Sequence, residues 1–166
     1  IGLTIISTIL CSSLAQAKVY LDITSPDFRK VPVAVPYFSN KKRPNRTEKI
    51  DRDMAATLTK ALEFHGFINV VSPEKYDGSQ NTDWLKLGVD FTITTDYEVT
   101  GDGIIFEFRL IDVAESRMLI GKRYKGALNR RYKMMLRFCD EVIYHLTGER
   151  GISMSYIAFT SQVGDH

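Results

Sequence analysis

The sequence predicts an α/β domain in which a mixed β-sheet packs against two main amphipathic helices. Three observations carry that prediction. Ile50, Met54, Leu58, Ala61, Leu62 and His65 recur at helical spacing, and so do Met135, Phe138, Cys139, Val142 and Leu146, so two segments each present a face able to cover a core. Val89 to Val99 alternates apolar and polar residues as a half-buried strand does, and Thr100-Gly101-Asp102-Gly103 turns the chain into a second such run. Short apolar stretches on either side of the first helix complete the order strand, strand, helix, strand, short helix, three-strand meander, helix. Neither layer can hide its apolar side alone, so each covers the other.

Ahead of these elements, residues 1–17 read as a secretory signal peptide that lacks its charged start. Ile1 to Leu10 carry no charge and are almost wholly apolar, and Ala15-Gln16-Ala17 is the small-x-small triplet after which such leaders are cut. Polar residues from Ser12 onward stop the apolar run short of the roughly 20 residues of a spanning helix. Acylation at Cys11 would need a small residue before it, and Leu10 is not small. Cleavage after Ala17 is expected, with Lys18 as the new terminus.

Lys18 to Thr24 places Val19, Leu21 and Ile23 on one side and predicts a first strand, ended by Ser25-Pro26-Asp27. Val31 to Phe38 predicts a second. Pro32 and Pro36 have no backbone donor, which puts this strand at an edge or leaves one pairing side free. Lys41 to Arg46 is a basic, solvated loop. Asn45 or Thr47 caps the first helix and Gly66 stops it. Phe67 to Val71 predicts a short strand, residues 74–82 a polar turn region, and Asp83 to Leu87 a short helix stopped by Gly88. The return strand Ile104 to Asp112, a turn over Ala114 to Arg117 and a strand around Met118 to Tyr124 complete the meander. The last helix runs from about Asn129 to Thr147, Gly148 ends it, and Ser155 to Gln162 reads as one more strand.

At 44% hydrophobic the chain can bury a core, and a net charge of +2 makes no electrostatic case for nucleic acid. Arg130, Arg131, Lys133 and Arg137 interleave with Tyr132 and Phe138, a pattern nucleic-acid binders share. Export argues against that use, and an exposed helix face accounts for the residues. With Cys11 in the leader, Cys139 is left without a disulfide partner; on an apolar helix face it reads as a small buried hydrophobe.

Catalytic and cofactor signatures are missing from the sequence. His65, His145 and His166 lack metal-ligand spacing, and no nucleophile elbow, phosphate loop or dinucleotide fingerprint occurs. Gly101-Asp102-Gly103 joins two strands and opens no helix, so a hairpin explains it. Asp90 and Asp96 could share a strand face as an acid/base pair only if one sat in an apolar pocket. No catalytic, cofactor or metal residue is expected, and a binding or assembly module leads.

Several stretches in order then resemble one family. Trp84-x-x-Leu87-Gly88-Val89-Asp90 runs into a strand, and Arg109-Leu110-Ile111-Asp112-Val113 closes the next. Asp140-Glu141-Val142 is followed by Leu146-Thr147-Gly148, Gly151 and Tyr156-Ile157-Ala158-Phe159. Together with Pro32-Val33-x-Val35 and Phe38, they look like the N-terminal domain of the TolB family, a periplasmic component of the Tol–Pal system, over residues 18–162. The resemblance implies an α/β fold like the anticodon-binding domains of some tRNA synthetases, in fold but not in role. It also implies a non-enzymatic, periplasmic protein supporting outer-membrane integrity and constriction at division. Residues 18–150 would form that domain. Family members continue into a six-bladed β-propeller, which this sequence lacks and of which residues 151–166 would be the start. The family's site for the outer-membrane lipoprotein Pal lies mainly on the propeller.

The resemblance further implies that the mature N-terminus binds TolA of the inner membrane, here through Lys18, Val19, Tyr20, Leu21, Asp22, Ile23, Thr24 and Ser25. Val19, Leu21, Ile23 and Ser25 match the family, whereas Lys18, Tyr20, Asp22, Thr24 and Pro26 depart from it. Such an alternating strand can pair with a partner sheet or in cis with its own domain, and the two states compete. The rivals are a plain first strand, a small-ligand or polysaccharide-binding domain using Tyr97 and Phe106, and a hydrolase using Asp90 and Asp96.

Overall fold

A computed structural model describes residues 29–155. The chain forms β1 (Val31–Ala34), β2 (Ser39–Asn40), α1 (Lys49–Glu63), β3 (Ile68–Val71), β4 (Phe91–Thr100), β5 (Gly103–Asp112), β6 (Arg117–Ala127) and α2 (Arg131–Thr147). The strand order is β3-β1-β4-β5-β6, with β2 also paired to β4; the β1, β2 and β3 pairings are parallel and the β4-β5-β6 meander is antiparallel. The expected mixed sheet with two helices is therefore what forms. The leader, the strand expected at Lys18 to Thr24 and nearly all of that at Ser155 to Gln162 lie outside the described residues.

The helices lie against one face of the sheet. Met54, Leu58 and Leu62 of α1 and Met135, Phe138, Cys139 and Val142 of α2 are fully buried with Val33, Ile93, Phe106, Phe108 and Leu110. Phe138 stacks on Phe108 with centroids 4.5 Å apart, and Phe38 meets Phe106 and Phe108 edge-on. Each such side chain contributes roughly 1.5–3 kcal/mol by leaving water. The opposite face carries a smaller cluster of Ala34, Tyr76, Val89 and Val113, roofed by Trp84 and Leu87. Apolar layers on both faces bury all four residues of β1.

The sheet order overturns the expectation that the second strand lies at an edge or leaves one pairing side free. β1 is central, with β3 on one side and β4 on the other. Pro32 is tolerated because its nitrogen points toward β4 just ahead of the short ladder Val33↔Phe91 and Ala34↔Thr92, where only its carbonyl is used, accepting from Asp90 N at 2.9 Å. Pro36 does interrupt pairing: the expected strand of residues 31–38 ends at Ala34, and the chain rejoins β4 at Ser39↔Asp96. Gln80 fills the gap. Its Nε2 donates to Tyr37 O and Thr95 O, both at 3.1 Å. Gly78 O accepts from Tyr37 N, and a Cβ on Gly78 would overlap the Tyr37 ring, so only glycine lets this loop sit so close.

Two other expectations are corrected. The cap of α1 is Glu48, not Asn45 or Thr47, because Asp51 at the third helical position reaches back to Glu48 N at 2.6 Å. Asp83 to Leu87 forms no helix. Successive turn bonds, Leu87 N to Trp84 O and Gly88 N to Leu85 O, spend those residues on seating Trp84, and the short helical turn falls instead at Pro73–Lys75.

Candidate functional site

All eight residues predicted to bind a partner, Lys18 to Ser25, lie outside the described residues. The polar centre of the described domain is Asp51, fully buried at the start of α1. One carboxylate oxygen takes Glu48 N–H and the other takes the Tyr97 hydroxyl at 2.7 Å. Burial, reinforced by the Asp51 carboxylate, holds the Tyr97 phenol well above its ordinary pKa. A satisfied buried acid locks α1 onto β4, since leaving it unpaired would cost more than the bond returns.

The helix-free face of β4, β5 and β6 carries a ladder of charge. Lys41 Nζ lies 2.7 Å from Glu107, and Arg109 bonds Asp96 at 2.8 Å and Glu107 at 3.3 Å, with Arg123 3.7 Å from Glu107. The hydrogen bond from Lys41 leads in holding the Glu107 carboxyl below the usual carboxylate range. These cross-strand pairs set register more than stability.

The described chain ends on a latch. Asp140 of α2 accepts Ser153 N at 2.8 Å and Met154 N at 3.3 Å. A Cβ on Gly151 would overlap Asp140, so the close seat needs glycine. Ser153 Oγ donates to Cys139 Sγ at 3.2 Å and lies 3.0 Å from His65 Nε2. Burial lowers the His65 pKa, partly opposed by Asp140, and raises the Cys139 thiol to about 12. Cys139 is fully buried, as its place on the apolar stripe predicts.

The residues weighed for other chemistries do not converge. Asp90 precedes β4 and pairs with Arg29 at 3.6 Å, whereas Asp96 is held by Arg109. Phe106 is enclosed in the core, and Tyr97 reaches only the floor of an open depression of about 260 Å³ lined by Asn40, Lys42, Arg43 and Glu48. Among the described residues no group of His, Cys, Asp and Glu could hold a metal ion, and no helix is long and apolar enough to cross a membrane.

Several of the stretches that suggested a family are architectural, and Tyr156 to Phe159 lie outside the described residues. Trp84, Leu87 and Val89 build the second cluster, Trp84 meeting Tyr76 edge-on at 5.0 Å, while Asp90 bridges Pro32 and Val113 through its backbone. Asp140 and Gly151 form the latch. The decisive observation is that residues 19–119 match the family described as the TolB amino-terminal domain.

The chain belongs to the TolB amino-terminal domain family.

It is 44% identical over 149 residues to the Tol-Pal system protein TolB of Desulfotalea psychrophila, covering 90% of this chain and 34% of that relative. It is 34% identical to the protein of the same name from Desulfosudis oleivorans, covering 96% and 40%. The chain thus spans between about a third and two fifths of the length of these curated TolB relatives. The crystal structure of TolB from Acinetobacter baumannii shares the fold, with a TM-score of 0.56 at 17% identity over 74% of this chain and 30% of that one. These TolB relatives are named as Tol–Pal system components, not as enzymes. Gln80 and Asp51 went unread in the sequence, and Asp140 and Gly151 stood out there only through the resemblance, with no sign that they meet; Asp51 had a local signal, the capping spacing Glu48-x-x-Asp51.

Proposed function

We propose that this chain is a periplasmic, non-enzymatic interaction module of the Tol–Pal system. Residues 1–17 are a leader, residues 18–150 the interaction domain, and residues 151–166 lead into a propeller in the full-length protein, where Pal contacts concentrate. The segment Lys18 to Ser25 binds TolA of the inner membrane, and the module supports outer-membrane integrity and envelope constriction during division.

The observation that carries this reading is the extent of the family match, which begins at Val19, one residue past the expected new terminus. The segment therefore belongs to the family pattern and is not an unrelated extension. Alternation of Val19, Leu21 and Ile23 suits an extended strand whose backbone supplies affinity and whose alternate side chains supply specificity. The same strand placed in cis on its own sheet would be withdrawn from the partner, and a modest free-energy difference between the two states makes a switch.

The test deletes residues 18–25 from the full-length protein and measures affinity for the C-terminal domain of TolA from the same organism. Loss of binding with an unchanged melting temperature is expected. Unchanged affinity would remove the segment from the interface.

A further inference from the structure

We infer that the free edge of β6 is a docking site for an extended, acidic polypeptide segment of a partner protein, which adds to the sheet as a further strand. β6 is the last strand in the sheet order, and among the described residues it has no second neighbour. Its phase is set where the ladder continues into the next residue. Leu128 N donates to Asp102 O at 2.8 Å, and antiparallel pairing alternates from there. The backbone groups of Gly126, Tyr124 and Lys122 therefore face β5. Those of Gly121, Arg123, Lys125 and Ala127 face outward, a row of donors and acceptors that no strand among the described residues uses.

The flanks of this row are basic. β6 carries Arg117, Lys122, Arg123 and Lys125 and no acid. Arg123 and Lys125 stand on the helix-free face, opposite Glu107 and Ile105. On the other face α2 runs beside the strand: Lys122 pairs with Glu141 at 3.2 Å, and the Arg137 guanidinium lies 5.7 Å from the Tyr124 ring centroid. Lys125, Arg130 and Lys133 are exposed, and no acidic side chain pairs with them among the described residues. The Tyr124 hydroxyl is buried there without a hydrogen-bond partner.

Charge selects the occupant. A second copy paired edge to edge would set two acid-free basic strands against each other, and like charges across a strand pair repel. Lys18 to Ser25 carries one base and one acid and does not match the site. A membrane surface would want a cluster of exposed apolar residues beside the cations, whereas among the described residues Tyr132 stands at one end of this strand and Met118 at the other, with the cations between them. A lysine-rich edge also deters aggregation, but deterrence alone would leave an acidic strand unbound. An acidic strand satisfies both the backbone row and the charge.

The experiment uses the full-length protein and a synthetic peptide of alternating glutamate and valine. Binding is expected to weaken with salt and to slow exchange of the Gly121, Arg123, Lys125 and Ala127 amide protons. The fully N-methylated peptide keeps the charge but cannot donate, and it should bind at least about tenfold more weakly. The double variant Lys125→Glu, Lys133→Glu should bind the parent peptide about tenfold more weakly or worse, with an unchanged melting temperature. Equal binding of the N-methylated peptide, unchanged affinity of the variant, or no binding at all would overturn the inference. So would edge amides already protected without peptide, which would mean the protein covers this edge itself. Binding to phosphatidylglycerol vesicles in place of the peptide would reassign the patch to a lipid surface.

Discussion

The Tyr97 hydroxyl donates a 2.7 Å hydrogen bond to Asp51, joining the middle of β4 to the first turn of α1 across 46 residues of sequence. The same carboxylate holds Glu48 N–H, so one buried acid both starts the helix and fixes its position over the sheet. Tyr97→Phe removes only the hydroxyl and leaves that carboxylate one donor short. A loss of about 1–3 kcal/mol is expected, read as a lower urea midpoint with an unchanged slope. In an Asp51→Ala background the same change should cost clearly less, because the carboxylate it orphans has gone.

Gln80 stitches a sheet that Pro36 interrupts. Gln80→Ala leaves Tyr37 O and Thr95 O without their donor, and a destabilisation of about 1–3 kcal/mol is expected. Exchange of the Tyr37 amide, which donates to Gly78 in the same loop, should quicken as the loop loosens. An unchanged urea midpoint would show that water replaces the side-chain amide without loss.

Alkaline pH should destabilise the fold. Burial raises the Cys139 thiol and the Tyr76 phenol each to about 12, and raises Tyr97 and Tyr124 as well. The unfolded chain then releases these protons first, so it binds fewer protons than the native state and stability falls as pH rises. The contribution is intact below about pH 7.5, where the free thiol and phenol still hold their protons, and is lost progressively from there toward about pH 12. Urea midpoints from pH 8 upward read it directly, and Cys139→Ser should delay the onset toward the tyrosine range.

Gly151→Ala should open the latch at the end of the described chain. The added methyl meets Asp140, and the bonds from Ser153 N and Met154 N to that carboxylate cannot both survive the shift. Exchange of the Ser153 amide is expected to rise about tenfold or more while the sheet amides keep their protection. A matching rise in every amide would show that the latch is part of the global fold.

The meander and both helices were legible because each rests on a local period. Alternation marks β4 and β5, and the stripe from Met135 to Leu146 marks α2. The position of β1 was not legible. Proline statistics argue for an edge, but the side on which a donor is missing matters only once the neighbours are known. Trp84 and Leu87 read as a short helix because nothing local says that a second apolar cluster awaits them. The partner-binding residues Lys18 to Ser25 came from family resemblance, and the described residues do not reach them.

The amino-acid sequence by itself determined the meander, the two main helices, the packing of helices on a mixed sheet and the family resemblance, since periodicity, turn residues and ordered motifs are properties of neighbours along the chain. Only the tertiary structure decided that β1 is central, that Gln80 closes the gap behind Pro36, that Asp51 answers to Tyr97, and that β6 is the last strand among the described residues, with a basic edge. Each of those depends on groups dozens of residues apart meeting at hydrogen-bonding distance. Burial sets the cost of leaving such groups unpaired, and the folded neighbourhood alone determines that burial.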